Sequence, residues 1–197
     1  MPRKSVRNQI LQVASDLFYR EGIRAVGIDR IILESGVAKA SFYRNFASKD
    51  DLVAAYLDYQ QDLNAKDLEE VQLQFPDSSA LQLHALIDTF VKKMKTPGYR
   101  GCPFVNTVVE FPDTAHDNHL NAVKGTDENW KAIEKLAEQA GAARPSELSE
   151  LLRMLCNGAV MLSYIHPSDF NPDNFSRAAH SLVDSHLFGW TPTRKED

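Results

Sequence analysis

Cysteine is scarce in this 197-residue chain: Cys102 and Cys156 are the two present, far apart and in no Cys-x-x-Cys pair. That excludes a zinc ribbon, a thioredoxin-type centre and a disulfide scaffold, and it suits a reducing compartment. Long apolar runs are missing too. No window reaches the roughly eighteen uninterrupted apolar residues of a membrane span, and the richest short run is Ala159 to Ile165. Between Met1 and Phe18 the residues Arg3, Lys4, Arg7 and Asp16 interrupt the apolar positions, so the stretch lacks the core of a signal peptide. The expectation is a cytoplasmic chain. Strand-type alternation is rare, and the nine Gly and nine Pro gather between apolar stretches rather than inside them. With 43% hydrophobic and 25% charged residues, the chain is neither a disordered tail nor a fibre, and its length can bury a sizeable core without staples.

Charge is unevenly spread. The net charge is −5, yet residues 1 to 49 hold nine Lys or Arg against four Asp or Glu, a balance of +5, which leaves −10 for the remainder. A basic head on an acidic body directs any polyanion to the head.

Apolar residues at helical spacing predict an all-α chain of about nine helices. The first runs from about Lys4 to Glu21 on the stripe Ile10, Ala14, Leu17 and Phe18, and Gly22 ends it. Two short helices follow, Gly27 to Glu34 and Lys39 to Phe46, separated by Ser35-Gly36-Val37. Ser48-Lys49-Asp50-Asp51 is a capping-box start with Asp in place of Glu, opening a fourth helix that reaches about Gln72. Further helices are expected over Leu81 to Lys95, His116 to Ala140 with a bend or break near Gly125, from Pro145, and after Asn171-Pro172-Asp173, with Pro103 to Phe111 read as a short apolar element. The last two carry apolar stripes suited to a partner helix pair.

Two short helices around a Gly-containing break, supported by a preceding helix and bearing the positive charge, form a helix-turn-helix unit. Phe42 and Phe46 face inward, which leaves Lys39, Ala40, Tyr43 and Arg44 to project outward toward a DNA groove.

The stretch Ile10-x-x-x-Ala14-x-x-Leu17-Phe18-x-x-x-Gly22, Ile28-x-x-Ile31, Ser35-Gly36-Val37-x-x-Ala40-Ser41-Phe42-Tyr43-x-Asn45-Phe46 and Ser48-Lys49-Asp50-x-Leu52 resembles the DNA-binding head of tetracycline-repressor-type (TetR) regulators. The resemblance spans most of residues 7 to 57. It implies a head over 1–48 and an effector-binding and dimerisation body over 49–197, linked by the fourth helix. It also implies a ligand-responsive regulator, a repressor, that binds a palindromic double-stranded DNA operator as a homodimer and is released by an unidentified small molecule. On this chain the DNA-contacting positions are Lys39, Ala40, Ser41, Tyr43, Arg44, Asn45 and Lys49, with Tyr43 and Lys49 on phosphates. Arg3, Lys4 and Arg7 are candidates for a minor-groove or phosphate-binding arm, with a solvated terminus as the alternative. Three residues depart from the family pattern: Gly27 where Ser or Thr is usual, Ala38 in place of a Ser cap, and Ile32 in place of a small residue.

In the body, Gly101-Cys102-Pro103-Phe104-Val105-Asn106 through Asp113 resembles a segment beside the effector cavity in part of the same family. That places Cys102, Phe104, Thr107, Val108 and Phe111 at a pocket, with Phe90, Trp130, Met161 and Tyr164 helping to line it; core packing is the alternative for each. Cys102 is also a candidate thiol sensor of oxidants or electrophiles, against the reading of an inert buried thiol, and Cys156 is packing. Asp113, His116 and His119 have a spacing that a metal could use, although two surface histidines beside a loop Asp is the ordinary outcome. His84, His166, His180 and His186 stand apart in sequence and are expected to pack or to sit at an interface. No nucleophile elbow, phosphate loop or paired-acid arrangement accompanies Cys102 and these histidines, so the expectation is a non-enzyme without cofactor or metal. A helical interaction scaffold without DNA binding explains the stripes but leaves the head unexplained.

Overall fold

The computed structural model describes residues 5–189 and contains nine α-helices and no strand among them. The arm candidates Arg3 and Lys4 lie outside the described residues, whereas Arg7 lies on the first helix. The helices are α1 (Val6–Glu21), α2 (Ile28–Ser35), α3 (Lys39–Asn45), α4 (Lys49–Gln74), α5 (Ser79–Met94), α6 (Pro103–Glu110), α7 (Asp117–Gln139), α8 (Pro145–Ile165) and α9 (Pro172–Phe188). None is long and apolar enough to cross a membrane.

Local chemistry sets most boundaries. Ser5 Oγ accepts from Asn8 N at 3.2 Å to start α1, and Ser78 Oγ accepts from Leu81 N at 3.3 Å to start α5. At α4 the capping box is reciprocal: Asp51 N donates to Ser48 Oγ at 3.0 Å and Ser48 N to Asp51 Oδ2 at 3.2 Å. The turn after α2 requires a left-handed residue, which Gly36 supplies with φ 66°.

The described residues divide into two compact units, and the division does not follow the expected boundary at 48/49. The chain up to Leu63 joins with Arg100–Thr126, while Asn64–Tyr99 joins with the chain from Asp127 onward. Both α4 and α7 therefore contribute residues to each unit. In the first, Ile10, Ala14, Leu17 and Phe18 of α1 pack with Ile31, Phe42, Phe46, Leu52 and Tyr56, and the core is completed by Phe104, Phe111 and Ala122. Phe18 meets Tyr56 edge-on with ring centroids 5.7 Å apart.

In the second unit, Leu83, Ile87 and Val91 of α5 join Leu148 and Leu152 of α8 and Phe175, Ala179 and Val183 of α9. Phe90 stands edge-on to Phe175 at 5.3 Å and to Tyr99 at 6.5 Å.

The break expected near Gly125 does not occur: α7 is continuous through it. Its hydrogen atom is needed for space, because a Cβ there would lie 2.7 Å from Phe104 Cδ1. Close approach of α7 to the Phe104 ring, not helix termination, accounts for the glycine.

Candidate nucleic-acid interface

The second short helix, α3, is seated by its own aromatic residues. Phe42 is fully buried and Phe46 nearly so, and their rings lie 6.1 Å apart. Lys39, Ala40, Tyr43 and Arg44 are exposed on the opposite face, while Ser41, Asn45 and Lys49 are half-buried. The structure thus brings the seven predicted DNA-binding positions onto α3 and the start of α4.

Several side chains fix this helix pair. Arg7 lies over the Phe46 ring, 4.3 Å from its centroid, and donates to Asn45 O at 3.1 Å, so it secures the C-terminal end of α3. Gln9 Nε2 donates to Ser35 O at 2.6 Å at the end of α2. Arg30 joins α1 to α2, donating to Glu34 Oε1 at 2.8 Å and to Glu21 Oε1 at 2.8 Å. Those bonds raise the Arg30 guanidinium above its ordinary range and hold the Glu21 carboxyl below its own.

The exposed face is already partly ordered. Lys39 Nζ lies 3.1 Å from Asp29 Oδ1, and that hydrogen bond raises the Lys39 ammonium. Arg44 donates to Ser41 Oγ at 2.8 Å, so the Ser41 hydroxyl does not substitute for the cap missing at Ala38. Asn45 Nδ2 turns back onto Ser41 O at 2.7 Å. Partial burial lowers the Lys49 ammonium, opposed by the charges of Glu110 and Asp50.

A second support arrives from α6, and sequence reasoning missed it. Glu110 accepts hydrogen bonds from Ile23 N at 2.9 Å and Arg24 N at 2.7 Å, clamping the turn that leads from α1 to α2. Beside it the Tyr19 hydroxyl donates to Gly101 O at 3.2 Å and accepts from Arg100 N at 2.8 Å, and Arg24 lies over the Phe111 ring at 5.4 Å. Asn106 holds the same segment through Arg100 O at 2.6 Å.

The predicted effector set is divided between the units. In the first, Phe104 and Thr107 are fully buried and Phe111 nearly so, Val108 and Cys102 pack against the same core, and Thr107 Oγ1 is spent on Pro103 O at 2.9 Å. In the second, Phe90 and Trp130 pack against the core. Met161 and Tyr164 on α8 are 56% and 41% exposed. Two open clefts of about 390 and 330 Å³ lie between α1 and α4, and none of the nine residues borders them.

Asp113, His116 and His119 do not converge. Asp113 Oδ1 accepts from Ala115 N at 3.0 Å, His116 Nδ1 accepts from Asn118 N at 3.1 Å, and a His119 ring nitrogen meets Phe111 O at 2.7 Å. Among the described residues no three His, Cys, Asp or Glu surround a common point. His84 and His180, isolated in sequence and read as packing or interface residues, meet each other through their ring edges. A repeated His-x-x-x-Asp, at 84/88 and 180/184, was the signal available in the sequence.

A family model for bacterial regulatory proteins of the tetR family matches residues 10–56. Among solved structures, the chain is similar to SCO4454, a TetR-family transcriptional regulator from Streptomyces coelicolor, with a TM-score of 0.81 and 32% identity over 93% of this chain and 94% of that one. It is 29% identical over 170 residues to the uncharacterized HTH-type transcriptional regulator YxaF of Bacillus subtilis, covering 82% of this chain and 86% of YxaF. Over 117 residues it is 31% identical to the HTH-type transcriptional activator FasR of Mycolicibacterium smegmatis, covering 58% of this chain and 52% of FasR.

Proposed function

This chain belongs to the TetR family of DNA-binding transcriptional regulators, and from that premise we propose that it is a ligand-released repressor acting as a homodimer on a palindromic operator. The observation that carries the reading is the exposed face of α3, held on buried Phe42 and Phe46 within the basic part of the chain. Lys39, Ala40 and Arg44 address base edges or backbone, Tyr43 and Lys49 hold phosphates, and Ser41 and Asn45 order the face from within. Phosphate contacts set register, and the base contacts set sequence.

By role, residues 1–48 bind DNA, and 49–197 carry effector binding and dimerisation, with α4 common to both. Support for dimerisation comes from α8 and α9, where Met154, Met161, Leu162, Ile165 and Phe188 are all more than half exposed. Apolar side chains of that number on two neighbouring helices gain from mating with a copy of themselves across a twofold axis. Two heads then address two half-sites about one helical turn, ~34 Å, apart. Release requires an effector that binds the DNA-incompetent conformation more tightly than the competent one.

Run-off transcription from the DNA upstream of the protein's own gene, with and without the protein, tests the reading. Transcript falls if the protein represses. A rise instead would assign the activating role that the name of FasR carries. Native mass spectrometry of the complex shows two chains per duplex, and one chain per duplex would overturn the dimer.

A further inference from the structure

His84 lies on α5 and His180 on α9, two helices that pack together in the second unit. Their rings meet edge to edge, with centroids 4.9 Å apart and planes at 23°, and the two Nδ1 atoms are 2.6 Å apart. Each ring's outer nitrogen faces a carboxylate from the other helix: His84 Nε2 lies 3.2 Å from Asp184 Oδ1, and His180 Nε2 lies 3.0 Å from Asp88 Oδ1. In each helix the His and the Asp are four residues apart and share a face. The result is a row, Asp184, His84, His180, Asp88, crossing the helix pair.

Counting protons along this row restricts its state. A carboxylate accepts and does not donate, so both Nε2 atoms carry hydrogen. In neutral rings of that tautomer both Nδ1 atoms present lone pairs to each other, and in doubly protonated rings both present N–H groups. Either arrangement is repulsive at 2.6 Å. One hydrogen between the two nitrogens removes the conflict, giving three protons on two rings and a single positive charge flanked by two negative ones. A zinc ion suits the separation less well, because Zn–N bonds of about 2.0–2.1 Å at a tetrahedral angle set the nitrogens about 3.3 Å apart. No third donor completes a cage among the described residues.

We propose that His84 and His180 form a one-proton bridge that fastens α5 to α9 over a limited pH range and releases on either side of it. Asp88 on α5 and Asp184 on α9 are the charged groups in contact with the rings among the described residues. Arg177, one turn before His180 on α9, is engaged by Asn174.

The direction on each side follows from linkage. In acid the unfolded chain places four protons on the two imidazoles against three in the bridge, so stability falls as pH is lowered. In alkali the unfolded chain holds two against three, so stability falls as pH rises. The bridge therefore contributes most between these limits. Because α9 also carries the exposed Phe188, loosening it would weaken the dimer, a consequence that rests on the dimer reading above; the bridge itself does not.

The test uses the full chain labelled with 15N-histidine. Across the pH range of maximal stability, a 15N–15N coupling between His84 Nδ1 and His180 Nδ1 is expected, with both Nε2 atoms protonated. Independent titration of the two rings without that coupling would overturn the bridge. Thermal scans of His84→Gln, His180→Gln and the double variant provide the second readout. The two side chains are 23% and 28% exposed,, so Gln is accommodated. The loss of melting temperature should be similar in all three and largest at one intermediate pH, and a loss independent of pH would contradict the proposal. Saturable Zn²⁺ binding in place of the coupling, abolished by the same variants and by chelator, would reassign the pair to a metal.

Discussion

Tyr43 and Lys49, the proposed phosphate contacts, sit in different settings: Tyr43 is 45% exposed on α3, and Lys49 is half-buried at the start of α4 beside Glu110 and Asp50. Tyr43→Ala is expected to weaken binding to every duplex by a similar factor. Lys49→Ala does the same and flattens the dependence of log affinity on log salt by about 1, the signature of one lost phosphate contact. Fluorescence anisotropy at several salt concentrations measures both, and a changed base preference in either variant would contradict the phosphate assignment. The outward face of α3 was legible in the sequence because helical period separates Phe42 and Phe46 from Tyr43 and Arg44. Glu110 was not, because its partners Ile23 and Arg24 lie in a turn 87 and 86 residues earlier, and neither period nor spacing reports such a pairing. Glu110→Ala leaves the amide of buried Ile23 without its partner and should cost about 1–3 kcal/mol in denaturant unfolding. Hydrogen exchange at the Ile23 and Arg24 amides should accelerate with it, and unchanged protection there would show that the clamp holds nothing.

At the scale of single helices, starts were easier to read than interruptions. Ser48 and the prolines opening α6, α8 and α9 mark beginnings because each solves a local problem of unpaired amides or fixed φ,. Gly125 misled because its reason is tertiary: the helix continues, and the missing side chain makes room for Phe104. Gly125→Ala should therefore lose about 1–3 kcal/mol despite the higher helix propensity of alanine. Pairing it with Phe104→Leu should recover part of the loss. A stabilised Gly125→Ala variant would return the position to the role of helix interrupter.

Across the whole chain, the all-α class and the basic head were legible because both are sums over many residues. The partition was harder. Phe104 and Phe111 read as pocket residues by resemblance, yet they are buried in the core that includes Phe42 and Phe46, since apolar composition alone does not say which neighbours a short helix finds. Met161 and Tyr164 likewise carry no sign in the sequence of whether they face a cavity or solvent. Ile165 is 57% exposed at the end of α8, and Ile165→Glu places a charge in the proposed mating surface. Sedimentation velocity should show the variant as monomer at concentrations where the parent chain is dimeric, with its thermal unfolding little changed; an undisturbed dimer would move the interface elsewhere. The most direct measurement of the central claim is selection of bound duplexes from a random library by the full chain, followed by anisotropy on the enriched sequence and its scramble. The account predicts an inverted repeat bound at least ~10³-fold more tightly than the scramble at physiological salt, with the preference reduced by Arg44→Ala. Absence of any enriched sequence, with equal weak affinity for both duplexes at every salt concentration, would contradict it.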